Sequence, residues 1–480
     1  MPADGGFSPG QFATAFQRFL EWVPSTATPQ EGTFAVRLRE HFGADASTYP
    51  ITSFELAEYD RPNLQAALDA FLSEPERTAR LLGFGLASPY SEPSLSQLVA
   101  SGRHSAAFTV GPVARAVVAL GEERSLSCVT SGLFLVDDGD RRLAVLVTRQ
   151  RPPAQQAVVE VMAPEPDLGE AFVGTLRRLM TKHNVYRGKV VSLAMRQGPM
   201  AQQMDVTFHP RHRVARERIV LPDGLLERVE RSTVEFDRHA PALRSAGRHL
   251  RRGLLLYGAP GTGKTLTATY LADALAGRTV LVLTGRALGL IRATCAMARQ
   301  LQPSMVVLED IDLVAEERTQ MGRGATSLLF ELLNEIDGME EDANVIFVMT
   351  TNRADLLEPA LAARPGRVDQ AVEFPLPDAQ ARRRLIELFC EGLSVHLPSS
   401  DRVVEQTEGA SPAFLRELVR KAALNAAADG HETVEEPHFA RALDELEEGG
   451  RLTRSILGAG GEPAAASPAA TGFPAPSARG

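Results

Sequence analysis

The residues Gly258-Ala259-Pro260-Gly261-Thr262-Gly263-Lys264-Thr265 place glycines, a lysine and a hydroxyl in the spacing GxxxxGK[ST]. An apolar run, Leu254 to Tyr257, precedes them and a helical pattern, Leu266 to Leu275, follows, which is the strand–loop–helix context that this spacing requires. Glycines let such a loop wrap with its backbone N–H groups pointing inward, and the N-terminus of the next helix adds partial positive charge. A polyphosphate is then held by many donors at once. In that arrangement Lys264 reaches the β and γ phosphates of a nucleoside triphosphate and the Thr265 hydroxyl ligates Mg²⁺.

A second constellation is Ser304 to Asp312, SMVVLEDID, where an apolar strand ends in the consecutive carboxylates Glu309 and Asp310. Strand ends of open α/β sheets face the ligand crevice. One acid at such a place holds Mg²⁺ and its neighbour orients and deprotonates an attacking water. A third stretch, Met349 to Asp378, puts the neutral amide of Asn352 at the end of a further strand, suited to a γ phosphate or a water, and carries Arg364 and Arg367 after a short helix. Two arginines on an exposed segment can stabilise the phosphoryl charge in a neighbouring subunit's site.

These residues need a parallel sheet to bring them together. After Arg216 the sequence alternates short β runs with helices: LLLY at 254–257, TVLVL at 279–283, SMVVL at 304–308, NVIFVM at 344–349 and AVEF at 371–374. This predicts an α/β fold, a five-stranded P-loop sheet over 216–377, followed by a helical region without strands over 378–450. Ahead of it we expect a mainly helical segment over 1–100, with helices at 12–23, 34–42 and 63–71, and an α+β region over 101–215. That region has a hairpin at Asp137-Asp138-Gly139-Asp140, a helix from Leu168 to Lys182 and a strand at 189–195. The tail, 451–480, is rich in Gly, Ala, Pro and Ser, too poor in apolar surface to offset ordering, and is expected to be disordered.

At 480 residues the chain exceeds one growing core. Lys+Arg at 51 against Asp+Glu at 60 gives 51 − 60 = −9, so no global positive field draws it to nucleic acid or anionic lipid. Cys128, Cys295 and Cys390 lack CxxC spacing, which implies neither a disulfide framework nor a zinc cluster. No stretch approaches the ~18 apolar residues of a membrane span, and we expect a cytoplasmic protein with no membrane role.

Over roughly 216 to 450 the chain resembles the AAA family of P-loop ATPases. GAPGTGKT is similar to its Walker A, LEDID sits at its Walker B, TTN supplies its sensor asparagine, and the stretch to Arg367 resembles its second region of homology. The segment 408–427 looks like the part of its helical lid that closes over nucleotide. The resemblance implies ATP and Mg²⁺ as ligands and hydrolysis by a ring, usually a hexamer. Arg364 and Arg367 would complete the next subunit's site, and residues 1–215 would select a protein substrate or partner. Two departures stand out. Glu309-Asp310 replaces the commoner Asp-Glu, an order shared with the branch like the mitochondrial inner-membrane AAA translocase, and the connection Thr284–Gly289 lacks the aromatic of a pore loop. Protein remodelling and a slow nucleotide-gated scaffold both remain open, with a DNA-associated motor disfavoured by the net charge. Gly322-Arg323-Gly324 is read either as a second axial loop or as a plain connection.

Lys264→Ala is expected to abolish nucleotide binding. Asp310→Asn should keep binding and ring assembly while losing hydrolysis. Turnover and oligomer size, measured together on each variant, check both.

Overall fold

The computed structural model describes residues 33–86, 92–100, 108–121, 124–139, 141–149, 156–197, 202–312, 343–355, 368–397 and 400–448, with 334, 335, 338 and 340. The expected helix at 12–23, Gly322-Arg323-Gly324, Arg364, Arg367 and the tail 451–480 lie outside the described residues. The chain divides into two units, Met1–Arg187 with Val191–Pro210, and Arg211–Gly480 with Gly188–Val190.

The first unit runs α1 (Thr33–Phe42), β1 (Ile51–Ala57), α2 (Arg61–Leu72), β2 (Arg77–Leu86), α3 (Leu95–Val99), β3 (Phe108–Gly111), β4 (Ala114–Ala119), β5 (Ser125–Asp138), β6 (Arg141–Arg149), β7 (Gln156–Met162), α4 (Pro166–Lys182), β8 (Val190–Gln197) and β9 (Gln202–His209). Its antiparallel sheet has the order β1-β7-β6-β5-β2-β3, with β4 also on β5. Gly139, at a φ of +69°, turns the β5–β6 hairpin at the predicted place. Successive strand residues face opposite ways. Val145, Val147, Val159 and Val161 therefore pack with Leu64 and Leu68 of α2 and Phe172 and Leu176 of α4. The alternate set, Leu133, Leu135, Ala144 and Leu146, packs with Phe34 and Leu38 of α1 and with Leu95 and Leu98 of α3.

The expectation of a mainly helical first hundred residues is corrected here. α1 and α2 form where predicted, but β1 and β2 lie between and after them, and β2 pairs with β5 across residue 100. β2 hides from a periodicity reading because Gly83 and Gly85 interrupt it. A side chain at Gly83 would sit 2.1 Å from the Pro112 carbonyl, so the glycine serves a close backbone approach inside a strand.

The second unit opens with α5 (Leu225–Glu230), a π-helical turn at Arg231–Glu235 and α6 (Phe236–Ser245). It continues through β10 (Arg252–Tyr257), α7 (Lys264–Ala274), β11 (Thr279–Thr284), α8 (Ile291–Gln300), β12 (Ser304–Glu309), β13 (Val345–Thr351) and β14 (Gln370–Glu373). The five strands pair in parallel in the order β14-β10-β13-β12-β11. β12 and β13 are buried almost throughout, the near-continuous apolar run of a strand covered on both faces. Register sets Tyr257 beside Thr351 and Thr284 beside Glu309, so the carboxyl ends of these strands finish together.

Helices α9 (Ala379–Phe389), α10 (Asp401–Gln406), α11 (Pro412–Ala428) and α12 (Glu436–Glu448) enclose a separate core around Leu415, Leu418, Phe439 and Ala442. The expectation of no strands here is also corrected: β15 (Ser394–His396) and β16 (Thr433–Glu435) pair in parallel. Three residues are too few to carry a period of two.

At the start of the parallel strands Arg278 is fully buried. It donates to Ser304 O at 2.8 Å, to Asn344 O at 3.1 Å and to the Asp237 carboxylate at 2.7 Å. Arg278→Ala leaves the Ser304 and Asn344 carbonyls without this donor, a loss of about 1–3 kcal/mol for each buried group left unpaired. The denaturant midpoint of the full chain should therefore fall, measured by far-UV circular dichroism.

Candidate functional site

β10 ends at Tyr257 and α7 begins at Lys264; the loop between them bends through left-handed backbone at Gly258 (φ +147°), Gly261 (φ +75°) and Gly263 (φ +100°). At Gly258 no side chain fits, since a Cβ would lie 2.3 Å from the Phe374 carbonyl. That residue is fixed in turn, its N–H donating to Tyr257 O at 2.7 Å. The Thr262 hydroxyl closes the loop on Ala259 O at 2.9 Å. From α11, Ala413 N donates to Gly261 O at 3.2 Å, and the Ser411 hydroxyl caps that helix by accepting from Phe414 N at 3.2 Å. The helical region thus touches the loop directly.

Lys264 is 5% exposed, and its ammonium donates to Gly258 O at 2.9 Å and Ala259 O at 2.8 Å. Burial lowers its pKa to about 8, with Asp310 and Asp312 pulling the other way. Across the pocket, Glu309 is raised above the ordinary carboxylate range by burial and then by Asp310, against a hydrogen bond from Thr265. Asp310 is raised by burial and Asp312, against Lys264 and Asn352. The Asn352 amide donates to Asp310 Oδ1 at 3.3 Å.

Lys264, Thr265, Asp310 and Asn352 line one cavity of about 370 Å³, which Phe389 and Arg416 also border. Of the residues singled out by sequence, Pro260, Gly261, Gly263, Lys264, Thr265, Asp310 and Asn352 line this crevice. Gly258 and Ala259 hold the Lys264 ammonium behind it, Glu309 touches it through Thr265, and Arg364 and Arg367 are not among the described residues. Thr265 and Glu309, in contact, offer an all-oxygen donor set, the kind a hard divalent ion such as Mg²⁺ takes. A cavity lined by Pro260, Gly261, Gly263 and Lys264 at the start of α7 suits a phosphate chain.

Two residues of this site escape a motif reading. Asp312, 5% exposed, accepts from the Thr351 hydroxyl at 2.9 Å and from Asn352 N at 3.1 Å. Its signal was a third acid two residues past the pair. Arg416 lies just inside α11, whose start Ser411 and Pro412 mark. Asp310 also has a φ of +50°, a conformation that Asp tolerates better than most side chains.

A parallel sheet with a glycine loop before a helix, and acids at the adjoining strand tip, is the P-loop nucleoside triphosphatase fold. Residues 254–376 match the model of the ATPase family associated with various cellular activities (AAA), so this part of the chain is an AAA domain. The chain is 35% identical over 271 residues to the ATP-dependent zinc metalloprotease FtsH of Akkermansia muciniphila, covering 50% of this chain and 33% of that protein. It is 34% identical over 239 residues to the proteasome-activating nucleotidase of Methanothermobacter thermautotrophicus, covering 46% and 58%. Against the 26S proteasome regulatory subunit S10B homolog B of Arabidopsis thaliana it is 34% identical over 217 residues, covering 42% and 54%. The chain thus spans between a third and three fifths of the length of these relatives. Among the described residues no helix is long and apolar enough to cross a membrane.

Gly258→Ala should weaken binding of a fluorescent ATP analogue by up to about a hundredfold, because the loop must move away from Phe374 to admit the methyl group. Affinity should also depend on pH. With the Lys264 amine at about 8, raising the pH above that value neutralises the charge that meets the phosphates. Binding is expected to weaken by up to about tenfold per pH unit above the midpoint, read by titration between about pH 7 and 9.

Proposed function

We propose that the protein is an ATP hydrolase that assembles into a ring, a hexamer being the size the resemblance implies, and remodels or disassembles a protein partner. The observation that carries the reading is the convergence of Lys264, Thr265, Asp310 and Asn352 on one cavity. In it the loop from Gly258 to Gly263 cradles the phosphates and Lys264 exchanges its two carbonyl partners for β and γ oxygens. Thr265 and Glu309 would hold Mg²⁺, which when bound supplies charge neutralisation at the β and γ oxygens. Asp310 orients the attacking water and takes its proton, a role its raised pKa favours. Asn352 hydrogen-bonds the γ phosphate or that water, and Arg416 adds positive charge from the helical region when it closes. Arg364 and Arg367 act on the site of the neighbouring subunit.

Two relatives, a proteasome-activating nucleotidase and a proteasome regulatory subunit, support a protein as the object of the work. Residues 33–210 are the candidate partner-binding unit, since their antiparallel sheet lies outside the matched segment. A second reading, a slow nucleotide-gated scaffold, is favoured by one specific feature: Asp310 is one methylene shorter than glutamate and is held by Asn352. Added partner should raise turnover in the first reading and leave it unchanged in the second.

Mixing subunits tests the ring. Arg367→Ala and Lys264→Ala each inactivate a homogeneous ring, yet mixed rings should recover part of the hydrolysis, because one variant supplies what the other lacks. No recovery in rings shown to be mixed would overturn action between subunits.

A further inference from the structure

The tips of β12 and β13 are joined by more than the sheet ladder. Ile311 N donates to Thr350 O at 3.1 Å, two residues beyond the end of β12. Asp310 N donates to the Thr350 hydroxyl at 3.0 Å, which fixes the left-handed turn at Asp310. The Thr351 hydroxyl and Asn352 N then both donate to Asp312 Oδ1, and the Asn352 amide returns to Asp310 Oδ1. The result is a closed circuit, Asp310 to Thr350, along the chain to Thr351, then to Asp312, to Asn352 and back to Asp310, with the cavity on one side.

We propose that Asp312 is a positioning residue: it anchors the main chain of Asn352, and so sets where the Asn352 amide and the Asp310 carboxylate sit relative to the phosphate cavity. The inference rests on the ATPase reading above and deepens it. Asn352 follows the last residue of β13, so no ladder bond of that strand fixes its backbone. Its N–H is satisfied by Asp312 instead. Burying a carboxylate carries a desolvation penalty unless its oxygens are bonded, and both described bonds to Asp312 come from the strand tip that carries Asn352. Without that acceptor the Asn352 N–H is orphaned and the tip is free to shift. Displacements of about 1 Å near reacting atoms lower turnover by up to about a hundredfold. Lys264 and the loop 258–263 stand on β10 and α7, make none of these bonds and feel Asp312 through its charge alone, so nucleotide binding should change far less than turnover.

The test measures steady-state hydrolysis and, separately, binding of a fluorescent ATP analogue by the full chain. Asp312→Ala should lower kcat by about ten- to a hundredfold while the Kd changes less than about threefold. Asp312→Asn, which keeps an oxygen acceptor, should recover most of kcat. In an Asn352→Ala background, Asp312→Ala should cause little further loss, because the group it positions is already gone. Thr351→Val breaks one of the two bonds with the carboxylate in place, so it tests the circuit even if Asp312→Ala does not fold; it should lower kcat at unchanged Kd. A kcat within twofold of wild type in Asp312→Ala, or in Thr351→Val should that variant stand alone, would overturn the inference. So would a Kd that worsens in step with kcat, or losses that multiply in the double variant. A wild-type chain that binds the analogue but hydrolyses no ATP would instead overturn the ATPase reading itself.

Discussion

The arrangement of the second unit turns on one buried charge. Lys264 is almost fully enclosed, its ammonium resting on two loop carbonyls and facing Asp310 and Asp312. Two carboxylates, Asp310 and Asp312, face one ammonium, and Glu309 stands beside Asp310. The raised pKa values of Glu309 and Asp310 express burial first and then the neighbouring acid. A triphosphate brings still more negative charge. In the proposed reading a divalent cation held by the oxygen donors of Thr265 and Glu309 would offset that charge. Arg416 adds positive charge at the rim without the desolvation penalty that a second buried cation would meet.

Charge of this density has to be held against relaxation, and both ends of the sheet contribute. At the beginning of the parallel strands Arg278 ties the backbone ahead of β11 to the starts of β12 and β13. At the far end the strand tips are bound to one another through Thr350, Asp312 and Asn352. Between them, Val306, Val307, Phe347 and Val348 fill the interior without polar atoms. The rigid layer explains how an aspartate with a left-handed backbone persists: neighbouring hydrogen bonds fix the turn at Asp310.

What the sequence made legible follows from how local each signal is. The phosphate loop was readable because glycine, lysine and hydroxyl spacing is a backbone requirement written in consecutive residues. Four of the parallel strands were readable as buried apolar runs, and β14 as a short β run in which Val372 alone is buried. Asp312 was not, since its role depends on Asn352, forty positions away and adjacent only through the pairing of β12 with β13. Arg416 likewise enters the pocket through the packing of the helical region, which no periodicity reports. In the first unit β2 was lost because Gly83 and Gly85 serve contacts with residues 109 to 113, which only the fold brings near. The aspartate-for-glutamate departure was visible, but its left-handed backbone was not, because φ at a strand tip is set by the neighbouring strand's threonine.

The central claim is that the glycine loop, the acids of one strand tip and the asparagine of the next serve a single triphosphate. A structure of the full chain with Mg²⁺ and a non-hydrolysable ATP analogue tests it most directly. The account predicts that the Lys264 ammonium leaves the carbonyls of Gly258 and Ala259 for phosphate oxygens, with Asn352 within hydrogen-bond reach of the γ phosphate or of the water beside it. A triphosphate bound elsewhere, with Lys264 still on those carbonyls, would contradict it.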